Sequence, residues 1–307
     1  MSVLVLVGPT ASGKTAVAMH LARQLGGEII SADSRQMYRH LDIGTAKPTP
    51  EQRAEVPHHF VDMLPPDQDY NAGRFGEEGR RVIDEIFSRS RTPIVVGGSG
   101  LYVQALIDGL FDGPGADPEF RYALEERVRA DGLPAVIEEL RRVDPVSAAR
   151  IDPTKPRRIV RALEVYHATG RPLSEHHAAT PPVISFMPLM FGLLWERKDL
   201  YARIDLRCAH MLDDGLLREA EDLDRRGYPS TLNALNTVGY REAFSFLRGE
   251  LGREEMLRLF RRNTRRYAKR QMTWFRRDGR IRWIAMNGRS TAGEIAAGIA
   301  RAFRTAS

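Results

Sequence analysis

The chain of 307 residues contains one cysteine, Cys208. A single thiol excludes an internal disulfide, and without a matched cysteine/histidine set it excludes a zinc finger. The histidine pairs His58-His59 and His176-His177 lack the cysteine or carboxylate company of a zinc site and are read as turn and surface residues. Long apolar runs are missing too. The stretch Val3 to Val7 falls far short of the ~20 residues that cross a bilayer, and no basic segment precedes it as in a secretory leader. The expectation is a soluble, unprocessed, cytoplasmic chain without a membrane partner. Internal repeats and low-complexity tracts are absent, and 42% hydrophobic with 28% charged residues is ordinary for a globular protein. The length suits roughly two domains of ~150 residues or one large, elaborated domain.

What the chain has in excess is local. Its formal charge is +6, yet residues 253–282 hold twelve basic residues against three acidic ones, a net of +9. An anionic partner is therefore expected near the C-terminus. Within this stretch Arg258, Arg262, Arg265, Arg266 and Lys269 recur at helical spacing beside Met256, Phe260, Tyr267 and Gln271, the pattern of a helix with one basic face. Trp274 and Phe275 close that helix, and such a pair is first a packing pair, with base stacking the alternative.

The other concentrated signal is Gly8-Pro9-Thr10-Ala11-Ser12-Gly13-Lys14-Thr15. It satisfies G-x-x-x-x-G-K-[ST] between an apolar strand, Val3 to Val7, and a helical pattern, Lys14 to Leu25. The glycines let backbone N–H groups turn around phosphate oxygens, the helix N-terminus adds its dipole, Lys14 supplies a point charge, and the Thr15 hydroxyl ligates Mg²⁺. This loop predicts a diphosphate without saying which. Nucleotide hydrolases and kinases add a carboxylate at the end of an apolar strand. Here Asp33 follows only the short Ile29-Ile30, a weak signature for ATP hydrolysis.

Two further strands run into polar residues: Glu28 to Ile30 into Ser31-Ala32-Asp33-Ser34, and Pro93 to Val96 into Gly97-Gly98-Ser99-Gly100. Open parallel sheets bind ligands at such carboxyl ends. Met187 to Leu194 and Ile281 to Met286 read as strands, whereas Pro118 to Arg129, Leu133 to Val143, Val146 to Ile151 and Pro156 to Thr169 read as helices, with Pro181-Pro182 as the return linker. The predicted fold is α/β: a P-loop NTPase-like parallel-sheet core flanked by helices, spanning 1–112 and 183–307, with a helical insertion domain at 113–182.

Seven motifs in order give the chain a resemblance to the tRNA dimethylallyltransferase (tRNA isopentenyltransferase) family over nearly its whole length. They are the P-loop; Asp33-Ser34 with Tyr38, running into Asp42-Ile43-Gly44-Thr45-Ala46-Lys47-Pro48; Pro57-His58-His59; Val96 to Tyr102; Arg161 to Val165; Val238-Gly239-Tyr240-Arg241; and Ala268-Lys269-Arg270-Gln271. The resemblance implies transfer of a dimethylallyl group from dimethylallyl diphosphate to N6 of the adenosine 3′ of the tRNA anticodon, with Mg²⁺ as cofactor, pyrophosphate as leaving group and a monomer as the working state. It implies Asp33 as general base, Arg203 as a stabiliser of the leaving group, and a hydroxyl, here Ser99 in place of threonine, near the bridging oxygen. It also implies RNA contacts from Asp33, Ser34, Arg35, Gln36 and Ser99, from Arg121, Arg157, Arg158 and Arg161 in the insertion, and from Lys269 and Arg270. Asp42, Thr45 and Lys47 either line this site or shape the turn at Gly44. Two other readings share the P-loop: a small-molecule kinase, which leaves the basic C-terminal stretch unexplained, and a noncatalytic RNA-binding protein with a vestigial loop.

Overall fold

The computed structural model describes residues 1–111, 113–115, 117–178 and 184–306. Strands are β1 (Ser2–Val7), β2 (Gly27–Ala32), β3 (His58–His59), β4 (Thr92–Gly97), β5 (Met187–Trp195) and β6 (Arg282–Met286). Helices α1 (Lys14–Leu25), α2 (Pro50–Glu55), α3 (Ala72–Ser88) and α4 (Gly100–Ile107) alternate with the first four strands. Then come α5 (Pro118–Asp131), α6 (Leu133–Val143), α7 (Pro145–Arg150), α8 (Pro156–Thr169) and α9 (Leu173–Ala178). After β5 follow α10 (Arg197–Asp213), α11 (Leu216–Arg225), α12 (Tyr240–Leu247) and α13 (Arg253–Phe275), and after β6 comes α14 (Ala292–Ala306). The return linker read at Pro181-Pro182 lies outside the described residues, as does position 112, where the sequence reading ends the first core segment.

All strand pairs are parallel, in the order β3-β2-β4-β1-β5-β6. The central strand β1 lies between β4 and β5, so Val3 to Val7 are fully buried. A strand covered on both faces reads as an unbroken apolar run rather than an alternating one. One face packs Leu4, Leu6, Ile94 and Phe191 against Val17 and Leu21 of α1 and Ile299 and Phe303 of α14. On α3, Asn71 accepts the Arg74 N–H at 3.0 Å as N-cap, and the helix buries Phe75, Ile83 and Ile86 beside α4. Among the described residues no helix is long and apolar enough to cross a membrane.

His58 and His59 are not in a turn. They form the edge strand β3, paired with Ile29 and Ile30. The reason is Glu28, a β2 carboxylate only 6% exposed, which must be satisfied where it is buried. It receives His59 Nε2 at 2.8 Å and Arg89 Nη2 at 2.9 Å.

The chain divides into two compact units, 1–107 with 184–307, and 108–183. Among the described residues the second contains helices and no strand, with a core that includes Leu124, Val136, Leu140, Ile159 and Leu163. At its centre the fully buried Glu164 carboxylate accepts the Asp117 N–H at 2.7 Å and forms ion pairs with Arg121 at 2.7 Å and Arg161 at 2.6 Å. Arg161 also donates to the Pro114 carbonyl at 2.9 Å.

Candidate active site

The register places the ends of three strands side by side: Val7 and Ala32 are both opposite Gly97. The loops that continue from them, together with α10 and α13, line a cavity of about 550 Å³. This is the carboxyl edge of a parallel sheet, where successive loops converge and helix N-termini point inward.

The loop 8–13 turns into α1 through Gly13, whose φ of 94° is left-handed, a conformation glycine adopts without steric cost. Its carbonyl oxygens, which would repel an anion, are occupied from the protein side. Lys14 Nζ donates to the Pro9 carbonyl at 2.8 Å, Arg203 Nε to Ala11 at 2.9 Å and Trp195 Nε1 to Ser12 at 3.0 Å. The Arg203 guanidinium also lies over the Trp195 ring, 4.4 Å from its centroid. Ser12 Oγ is buried with no hydrogen-bond partner among the described residues, a donor left over inside a phosphate loop. Burial, together with repulsion from Arg207 and against attraction by Asp33, pushes the Lys14 ammonium down from 10.5 to about 7. An uncompensated cation in such a place awaits an anion.

Asp33 follows β2 and lines the cavity with Lys14, Thr15, Arg203 and Arg207. Its Oδ1 accepts the Arg35 N–H at 2.8 Å, an Asx turn that fixes the carboxylate against its own backbone. Ser99 Oγ accepts the Ser34 N–H at 3.1 Å and sits 3.4 Å from Ser34 Oγ. From α13 Tyr267 lines the same cavity; burial first, then Asp33, pushes its phenol up to about 12. Gln36 is saturated. Its Oε1 accepts from Ser31 Oγ at 2.9 Å and its Nε2 donates to the carbonyls of Thr45 and Ala46 at 3.3 and 3.1 Å.

Thr45 and Lys47 both line the cavity and shape the turn. Thr45 Oγ1 donates to the Leu41 carbonyl at 2.6 Å, and the buried Lys47 ammonium binds Asp42 and Asp62, each at 2.5 Å. The turn itself is clamped by Glu219 of α11, which accepts the consecutive N–H groups of Asp42, Ile43 and Gly44 at 2.9, 2.8 and 3.0 Å and the Tyr240 hydroxyl at 2.5 Å. Gly44 lies against the Tyr240 ring so closely that a Cβ there would sit 2.5 Å from it.

Three comparisons bear on this arrangement. A family model described as IPP transferase matches residues 36–278, and one described as isopentenyl transferase matches residues 1–65. The chain belongs to the IPP transferase family. A tRNA dimethylallyltransferase of Pelotomaculum thermopropionicum is 45% identical over 97% of this chain and 95% of its own length, and tRNA dimethylallyltransferase 1 of Syntrophotalea carbinolica is 48% identical over 92% and 90%. Among solved structures, the tRNA isopentenylpyrophosphate transferase of Bacillus halodurans superposes with a TM-score of 0.72 at 38% identity, covering 99% of this chain and 97% of that one. A eukaryotic dimethylallyltransferase acting on tRNA superposes with a TM-score of 0.83 at 27% identity, covering 99% and 79%. The core of this family member is thus a P-loop NTPase-like parallel sheet, as its residue pattern predicts.

The cavity gathers Thr10 to Thr15 of the P-loop with Asp33, Arg35, Gln36 and Arg203, whereas Gly8, Pro9, Ser34 and Ser99 do not line it; Ser99 follows the lining Gly98 and accepts the Ser34 N–H. The remaining sequence-derived residues lie elsewhere. Lys269 and Arg270 are exposed on α13, on the side away from the buried Phe260, Ala268 and Gln271, and Arg270 lies 5.7 Å from the Tyr267 ring centroid. Arg157 and Arg158 are exposed at the start of α8, whereas Arg121 and Arg161 are tied to Glu164. Trp274 is 36% exposed and its indole covers Gly100, while Phe275 is buried.

Sequence reasoning missed Arg207, one helical turn beyond Arg203 on α10. Its guanidinium faces Asp33 and Lys14 and is pushed down from the ordinary arginine value by burial. It also missed Gln271 and Glu219 as parts of the site. The four-residue spacing of Arg203 and Arg207 was the one available signal, since i and i+4 share a helix face.

Proposed function

We propose that this chain transfers a dimethylallyl group from dimethylallyl diphosphate to N6 of the adenosine next to the tRNA anticodon on its 3′ side, releasing pyrophosphate. The observation that carries the proposal is the cavity itself, in which a phosphate loop after β1 shares its lining with Asp33, a carboxylate that follows β2 one strand further along the sheet. The diphosphate rests on the loop amides, Ser12 Oγ, Lys14, Arg203 and Arg207. These groups are in place before the reaction and stabilise the charge that develops as the C–O bond breaks. The adenine amine is a weak nucleophile, and Asp33 takes its proton as the new C–N bond forms. Ser99, with Ser34, holds the hydroxyl network at the bridging oxygen.

Mg²⁺ fits these residues. It favours one or two protein oxygens completed by phosphate oxygens and water, and the Thr15 hydroxyl and Asp33 carboxylate are two such oxygens in one cavity. When bound, the ion neutralises charge on the diphosphate.

The target base must leave its stack to reach the cavity. Ser34, Arg35 and Gln36 form the wall it meets, with Gln36 acting as a brace for that wall because its amide is already engaged. Lys269 and Arg270 of α13, and Arg121, Arg157, Arg158 and Arg161 of the helical insertion, supply the RNA contacts. Arg157 and Arg158 crowd a helix N-terminus, where cations are unfavourable until an anion joins them. The deciding experiment incubates the protein and Mg²⁺ with unmodified tRNA and labelled dimethylallyl diphosphate, with γ-labelled ATP in parallel. Label on tRNA from the prenyl donor alone is expected; phosphate transfer from ATP without prenyl transfer would make the protein a kinase.

Lys14 gives the donor site a pH signature. In the free protein it titrates at about 7, and a diphosphate in contact raises that value. Binding above pH 7 therefore takes up a proton, and donor affinity falls as pH rises from there through the value in the complex. Calorimetry in buffers of different ionisation heat is expected to show uptake approaching one proton at about pH 8–9, and Lys14→Met should abolish it.

A further inference from the structure

We infer that Gln271 is a positioning residue for the transfer reaction, holding the diphosphate loop and the Ser99 loop at a fixed separation. The Gln271 side chain, 6% exposed, crosses between them: Oε1 accepts the Thr10 N–H at 2.9 Å, and Nε2 donates to the Gly98 carbonyl at 2.9 Å. These partners lie 261 and 173 residues away in sequence. The two loops follow different strands, β1 and β4, and no other side chain bonds to both among the described residues. A Cβ at position 98 would sit 2.2 Å from Gln271 Nε2, so a larger residue there would displace that amide. One turn earlier on the same helix, Tyr267 lines the same cavity. The face of α13 turned to the site thus touches both the phosphate loop and the loop that carries Ser99 through Gln271.

Reaction geometry makes this spacing matter. The proposed donor spans the two loops, with its diphosphate on one and its bridging oxygen at the other, so a loop shift misaligns the leaving group with the incoming amine. An error of about 1 Å in such an alignment costs on the order of 10²-fold in rate. Glutamine is suited to the task because it offers one acceptor and a donor pair at the same reach.

This inference rests on the transferase reading, and the test separates the two. Gln271→Met keeps length and volume while removing both bonds; Gln271→Glu keeps the acceptor for Thr10 and loses the donor for Gly98. For Q271M, kcat for prenyl transfer is expected to fall roughly 10- to 100-fold, with Q271E falling at least as far because its carboxylate opposes the Gly98 carbonyl. The tRNA Kd and the amount of folded protein by circular dichroism should stay near wild type. Wild-type kcat in both variants, or a loss matched entirely by loss of folded protein, would overturn the positioning role. Absence of transfer by the wild-type protein in the same assay would instead remove the transferase reading.

Discussion

Asp33→Asn is expected to lower prenyl transfer to tRNA by about 10²- to 10⁴-fold, the usual worth of a positioned general base, while leaving the fold and tRNA affinity near wild type. Asparagine is the informative replacement. It preserves the side-chain oxygen that accepts the Arg35 N–H, so the turn after β2 persists, but it cannot take a proton from the adenine amine. Asp33→Ala removes the turn as well and would mix a structural effect with a chemical one. Single-turnover transfer with labelled donor, set beside tRNA binding by filter retention, separates the two. Undiminished turnover in Asp33→Asn would mean that the proton leaves by another route, and Asp33 would then be a binding residue only. A parallel loss of tRNA binding would place the carboxylate in RNA recognition instead.

Glu164→Ala should produce the largest loss of stability, about 1–3 kcal/mol, the cost of lost hydrogen bonds to a buried carboxylate, below that of a fully buried pair because Arg121 and Arg161 remain 42% and 32% exposed to water. In the helical unit this carboxylate is fully buried and satisfies the Asp117 N–H, Arg121 and Arg161 together. The loss should localise there and appear in hydrogen exchange as faster exchange of α5 and α8 amides, with α1 and α3 unaffected. Activity should respond through tRNA rather than the donor, because Arg121 and Arg161 lose the anchor that sets their directions. Burial raises the Glu164 carboxyl, but its bonds to Arg121, Arg161 and the Asp117 N–H outweigh that and hold it below the ordinary glutamate range. A depressed value stabilises the fold above the unfolded-state value, about 4.3, and that contribution fades as pH falls through the folded-state value. Acid denaturation of the unit should therefore begin below about pH 4 in the wild type. Glu164→Gln should flatten that limb while costing less than Glu164→Ala, since the amide still accepts hydrogen bonds.

Much of this protein could be read from its residues because the relevant forces are local. The first strand, loop and helix are contiguous, and their chemistry follows from glycine spacing, an apolar run and one lysine. Helices α1, α6 and α8 begin and end where sequence periodicity puts them, since Pro134 and Pro156 lie at N1 or N2 of α6 and α8 and a left-handed glycine ends both α1 and α8. The basic helix α13 was legible for the same reason, as was the placement of Asp33 and Ser99 at strand ends.

What sequence could not supply was everything decided by which segments become neighbours. The order that sets β5 beside β1 joins residues about 185 positions apart, and no local pattern encodes it. A two-residue strand such as β3 has no periodicity to detect; it is defined by pairing with Ile29 and Ile30 and by the contact of His59 with the buried Glu28. Arg121 and Arg161 looked like free RNA-binding arginines until tertiary packing put Glu164 between them. Gln36 looked like a base reader until the turn at 45–46 took up its amide. Gln271 and Glu219 are each one polar residue on an amphipathic helix, and their roles arise only when distant backbone N–H groups arrive at hydrogen-bond distance. The sequence by itself determined the phosphate loop, every strand but β3 and the charged helix, because propensity and apolar periodicity act over a few residues. The tertiary structure alone decided which polar side chains face the cavity and which brace it, because a hydrogen bond is specified by position in space and not by separation along the chain.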